Sequence, residues 1–144
     1  MKFTILGTPQ PKQSARFRTV KAGDRTFVKS YQKKSVVENE RNIAFDIKSK
    51  LPTGFKPYDG PLKVTMLFVF PPLTSWPKRM KNDFDTGATI YKATKPDLDN
   101  ISKPTLDAMQ GVVFMNDSQI VEMHCTKIFG PVPMIEIEVK PLEG

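Results

Sequence analysis

Residues 62–70, Leu-Lys-Val-Thr-Met-Leu-Phe-Val-Phe, decide the fold class. Their β-branched and aromatic side chains mark a strand apolar enough to be buried on both faces, and such a strand belongs in the middle of a sheet. A connection rich in Pro, Gly and Lys (52–61) precedes it, and Pro71-Pro72 ends it. Working outward, Lys2–Leu6 has strand character and is closed by Gly7-Thr8-Pro9-Gln10-Pro11, where two prolines stop any ladder. Ile120–Phe129 and Met134–Val139 are two further strands, joined by Gly130-Pro131-Val132-Pro133 and expected to form an antiparallel pair.

Two stretches read as helices. From Ser30 to about Leu51 there is neither Pro nor Gly, and Val36, Val37, Ile43, Ala44, Ile47 and Leu51 keep three- and four-residue spacing. Lys33, Lys34, Arg41, Lys48 and Lys50 decorate the outer face of that helix. A second helix runs from about Asn100 to Gln110, with Ile101, Leu106 and Met109 inward and Gly111 as its stop. The expected architecture is a small single α+β (mixed α/β) domain over residues 1–144, with a mixed sheet of about four to five strands and two main helices. The polar stretch 73–94 is expected to be a long loop. Its Trp76 is either a base-stacking wedge or an anchor that holds the loop on the domain.

Charge is unevenly distributed. The chain carries a formal +7, yet residues 1–50 hold twelve Lys and Arg against four Asp and Glu, while residues 101–144 hold three against six. A basic first part suits a polyanion, because each cation that neutralises a phosphate releases condensed counterions. Lys12, Arg16 and Arg18, interleaved with Phe17 and Phe27, read as an arm that tracks phosphates, or equally as a surface hairpin whose aromatics tuck into the core.

Cys125 and His124 are the only residues of their types, so disulfides, cysteine-rich zinc sites and the Ser-His, Cys-His and multi-histidine constellations have little to work with. The apolar runs are too short to span a bilayer, and the start lacks the apolar stretch of a signal peptide, so a cytoplasmic protein without a membrane partner is expected. The chemistry falls to acids. Asp97 and Asp99 stand two apart in what reads as an extended stretch, able to project to the same side of the backbone. Two carboxylates held together repel unless a cation lies between them, and oxygen-only donors favour Mg²⁺ or Mn²⁺. Asp117 opens the strand at 120 and would be a third ligand if that strand packs beside 97–99. Lys103, one turn beyond Asp99, would meet a phosphate, and Asp107 would pair with Lys103 or join the acids. Against this stands the ordinary reading of Asp and Asn before a helix as caps, and of Asn116-Asp117-Ser118 as a turn.

Lys95-Pro96-Asp97-Leu98-Asp99-Asn100, Lys103, Leu106-Asp107-Ala108-Met109 and Asn116-Asp117-Ser118-Gln119-Ile120-Val121 together resemble the RusA family of Holliday-junction resolvases of bacteria and their prophages. Gly7-Thr8-Pro9-Gln10-Pro11-Lys12 with Arg16-Phe17-Arg18 adds a weaker match. The resemblance implies a homodimer that binds four-way DNA junctions and makes paired, symmetric nicks with Mg²⁺, in DNA recombination and repair. No small-molecule cofactor is expected. It places the essential acids on Asp97, Asp99 and Asp117 and the helix lysine on Lys103, with Asn100 and Asp107 as additional candidates and Lys12, Arg16 and Arg18 on DNA. Asn116 departs from the family, many of whose members carry a second acid there. A different class of function, a non-catalytic binder of branched or single-stranded nucleic acid, would need the basic arm but not the coincidence of Asp97, Asp99, Asp117 and Lys103.

Overall fold

The computed structural model describes residues 1–11, 16–23, 25–31 and 34–143, with main chain alone at 16–22, 25, 27–31 and 34–36. In chain order the elements are β1 (Lys2–Leu6), β2 (Arg16–Ala22), β3 (Arg25–Tyr31), α1 (Lys34–Lys50), β4 (Leu62–Phe70), α2 (Lys78–Asp85), α3 (Leu98–Met109), β5 (Ile120–Phe129) and β6 (Met134–Pro141). Four strands form one mixed sheet in the order β1-β6-β4-β5, and β2 pairs with β3 in a separate antiparallel hairpin.

The 62–70 run is the interior strand its composition requires. Leu62, Val64, Met66 and Phe68 are at most 1% exposed and face a core with Ile43 and Ile47 of α1, Ile101 and Met109 of α3, and Val113 and Phe114 beyond it. Its other face is half-covered rather than buried, with Thr65 and Leu67 intermediate and Lys63 exposed. On that side Lys2, Thr4, Thr65, Glu136 and Glu138 surround a shallow hollow of about 350 Å³.

The expected pairing of the last two strands does not occur. β4 lies between them, parallel to β5 and antiparallel to β6. Successive in sequence and opposite in direction, the two flank β4 because the most apolar strand is best shielded with a neighbour on each edge. Their connection must therefore cross the end of β4. It does so at Gly130, whose N–H donates to the Phe70 carbonyl at 2.9 Å. A Cβ at 130 would stand 2.5 Å from Val69 Cγ1. Gly130→Ala should accordingly destabilise the fold by about 1–3 kcal/mol, as forced overpacking does. A lowered urea midpoint with unchanged m-value is the expected readout.

Three boundaries also differ from expectation. The first helix starts at Lys34 rather than Ser30 because β3 extends to Tyr31. The second starts at Leu98 rather than Asn100 and continues through Pro104, which has no N–H for the Asn100 carbonyl. The 73–94 stretch contains α2, and Trp76 is 8% exposed, edge-on to Phe129 at 4.8 Å and to Phe84 at 5.6 Å. Trp76 is thus the anchor of that stretch and not an exposed wedge. Among the described residues no helix is long and apolar enough to cross a membrane.

Candidate active site

Asp97 occupies the N-cap position of α3, yet its side chain makes no cap hydrogen bond. The helix start is held by its main chain instead: the Asp97 carbonyl accepts from Asn100 N–H at 3.1 Å and from Ile101 N–H at 3.2 Å. Asp99 is one residue into the helix and exposed, its Oδ1 accepting from Asn100 N–H at 3.0 Å. The extended stretch expected to present both acids on the same side is therefore a helix start, because helical φ/ψ begins at Leu98. Both carboxylates still sit at the positive end of α3, where negative charge is stabilised.

Asp117 shows the same separation of cap from carboxylate. It begins a short 3-10 turn, Asp117–Gln119, which its neighbours close. Asn116 Oδ1 accepts from Ser118 N–H at 2.9 Å, and Gln119 Oε1 accepts from Asn116 N–H at 2.8 Å and Met115 N–H at 3.0 Å. Gln119 Nε2 donates to the Tyr58 and Gly60 carbonyls and so fixes the turn to the domain. Among the described residues the Asp97 and Asp117 carboxylates have no hydrogen bond or ion pair, so neither is occupied by the capping or turn-forming role that could have explained it.

Along α3, Asp99, Lys103 and Asp107 lie at four-residue intervals on one stripe. Lys103 Nζ is 3.1 Å from Asp107 Oδ1, with the lysine side chain 56% exposed. Exposed i,i+4 pairs contribute only about 0.3–0.5 kcal/mol, so the ammonium can leave Asp107 for a phosphate at little cost.

A cleft of about 570 Å³ opens beside Asp97, lined by Thr8 to Pro11 on one wall, Lys95 to Asp97 and Asn100 on the other, and Phe70 at its back. Residues 8–11 and residues of 95–100, from the two sequence stretches singled out above, thus meet across one opening. Lys12 lies outside the described residues. Arg16 and Arg18 belong to β2, and their side chains also lie outside the description. Gln10 and Lys95 line the cleft and were not picked out individually from the sequence; Gln10, flanked by two prolines in a loop that must turn sharply, was the available signal.

Two further lysines were missed because their partners are distant in sequence. Lys127 on β5 donates to the Thr94 carbonyl at 2.7 Å and the Pro96 carbonyl at 2.8 Å, tying down the segment that delivers Asp97. Lys92 lies over the Phe70 and Phe129 rings at 5.2 and 5.0 Å. Burial, with the Lys127 charge adding to it, holds its ammonium below the ordinary lysine range.

The structure does not bring all three acids together. Asp97 stands at the Phe70 end of β4, whereas Asp117 precedes Ile120, which pairs with Leu62 at the other end. The twelve residues of α3 lie between them, a length of about 18 Å. Among the described residues no three His, Cys, Asp or Glu side chains are placed to hold a metal ion. Within one chain, then, the donors do not fit a three-acid metal centre.

A relative from Bacillus subtilis (strain 168), described as "Uncharacterized protein YqaN", is 26% identical over 149 residues, covering all of this chain and 98% of the relative. The sequence model of one family, "Endodeoxyribonuclease RusA", matches residues 7–140. That match takes in the loop at 7–11, the start of α3 and the turn at Asp117, and on it this chain belongs to the RusA endodeoxyribonuclease family.

Proposed function

We propose that this chain resolves four-way DNA junctions in recombination and repair, hydrolysing phosphodiesters with Mg²⁺, for which Mn²⁺ can substitute, and nicking two strands symmetrically as a homodimer. Asp97, Asp99 and Asp117 are its acids and Lys103 its phosphate contact. Lys12, Arg16 and Arg18 contact the DNA. The observation that carries this reading is that Asp97 and Asp117 both stand at element starts with carboxylates left free among the described residues. A protein that merely binds nucleic acid has no use for unpartnered acids, since they repel phosphate.

Asp97 and Asp99 would be the oxygen donors for a divalent ion, which would supply an acidified water and positive charge against the phosphoryl oxygens. The chain's own contributions are separable from that chemistry. Lys103 adds a positive charge one turn from Asp99, and Asn100 together with the 8–11 loop confines the backbone in the cleft. Lys103→Ala should leave junction binding within about twofold and slow single-turnover cleavage by about a hundredfold, the scale of losing one electrostatic stabiliser. Unchanged rates would remove Lys103 from the site.

The deciding experiment is single-turnover cleavage of a labelled four-way junction against a linear duplex of the same sequence, with Mg²⁺. Paired nicks confined to the junction support the reading. Binding without cleavage would make the chain a binding module, and preferential cutting of flaps, forks or RNA-containing duplex would change its substrate.

A further inference from the structure

Residues 93–96, which deliver Asp97 to the head of α3, are neither helix nor strand and make no hydrogen bond from main chain to main chain among the described residues. The chain before them is held along the outer edge of β5. Lys92 N–H donates to the Lys127 carbonyl at 3.1 Å, Phe129 N–H donates to the Ile90 carbonyl at 2.9 Å, and Tyr91 forms an antiparallel bridge with Ile128. The chain after them is held by the first turn of α3, closed on the Asp97 carbonyl. In between, Pro96 has no N–H to give, so the segment offers carbonyls and needs donors. The Lys127 side chain provides them, its ammonium donating to the Thr94 carbonyl at 2.7 Å and the Pro96 carbonyl at 2.8 Å.

We propose that Lys127 is a positioning residue for the cleavage reaction, fixing Asp97 and the cleft wall at 95–97 through their main chain. The inference rests on the function proposed above, which makes Asp97 an acid of the site. An ammonium has three N–H donors and no acceptor, so it satisfies two carbonyls at once and turns no lone pair toward them; a hydroxyl has one donor and does not. Its anchor is stiff. β5 is paired with β4 from Ile120 to Phe129, and Lys127 stands opposite the fully buried Phe68. The Pro96 carbonyl belongs to the same peptide group as the Asp97 N–H, so the central sheet, through one side chain, sets where Asp97 begins.

Lys92 adds a second hold. Its ammonium donates to Thr94 Oγ1 at 3.1 Å and lies over the Phe70 and Phe129 rings. That hold reaches Thr94 and stops there, so without Lys127 the two residues before Asp97 lose their tether among the described residues. The rest of the fold does not depend on it: neither the main-chain match at 90–92 nor the packing of Trp76 on Phe129 uses the Lys127 ammonium. Misplacing a reacting group by about 1 Å costs about a hundredfold in rate, and this is the effect expected.

The test compares the full chain with Lys127→Met, which keeps an unbranched stem and removes the donors, and Lys127→Arg, which keeps the charge and several donors. In single-turnover cleavage of a four-way junction with Mg²⁺ and saturating protein, Lys127→Met should be about a hundredfold slower and Lys127→Arg within about tenfold of wild type. Junction affinity within about twofold and a melting temperature within about 3 °C of wild type should accompany the loss. A matching fall in affinity would instead make Lys127 a DNA contact, and a melting temperature about 10 °C lower would make it structural support; either overturns the proposal, as does a Lys127→Met chain that cuts normally.

Amide hydrogen exchange on the protein free of metal and DNA gives an independent readout. The Asn100 and Ile101 N–H groups, bonded to the Asp97 carbonyl, should exchange about tenfold faster in Lys127→Met and return toward wild type in Lys127→Arg, with the amides of β4 unchanged. Unchanged exchange at Asn100 and Ile101 overturns the positioning role whether or not the protein cuts DNA. A wild type that leaves junctions uncut sinks the proposed function instead, and the exchange result still decides whether Lys127 holds Asp97.

Discussion

Asp97→Asn should lower single-turnover junction cleavage by about a thousandfold, equivalent to about 4 kcal/mol of transition-state stabilisation, while leaving the fold intact. The expectation rests on what Asp97 does not do. It sits at the N-cap of α3, but the helix is started by its carbonyl and not by its carboxylate. Asparagine is as good a residue as aspartate at that position, and the charge lost is worth at most about 1 kcal/mol to the helix dipole. A melting temperature within about 2 °C of wild type, with junction binding retained, is therefore expected together with the loss of cleavage. A variant that melts far lower would show a structural acid, and one that cuts normally would remove Asp97 from the chemistry.

Phe68→Ala carries the largest expected effect on stability, about 3–5 kcal/mol. Phe68 is fully buried in the middle strand, in register between Ile135 of β6 and Lys127 of β5, and faces the core beneath α1 and α3. Domains of this size are stable by roughly 5–15 kcal/mol, so the variant should melt about 10 °C lower or more and populate unfolded chain at 37 °C. Lys63→Ala, on the opposite face of the same strand, is the control. Lys63 is exposed and its ion pair with Glu122 is long, so its loss should fall within about 0.5 kcal/mol. Similar losses at both positions would contradict a strand buried on one face and open on the other.

The strand at 62–70 was legible because burial of an apolar run is a property of the run itself, and the helix ending at Gly111 because a glycine with φ of 79° can close it. The chemistry-bearing residue types were legible for a similar reason: one histidine and one cysteine leave acids and lysines to do the work. Which acids share a site was not legible. Asp97 and Asp99 are close by sequence, but the place of Asp117 depends on β5 running parallel to β4 with α3 between the two acids, a long-range choice that no local pattern contains. The same holds for Lys127, whose partners lie 31 and 33 residues away, and for β4 standing between β5 and β6. Residue types and local periodicity determined the elements and the kind of chemistry, because those follow from each segment's own burial and charge; the tertiary structure alone decided which ends of those elements meet, because that follows from burying every apolar face at once.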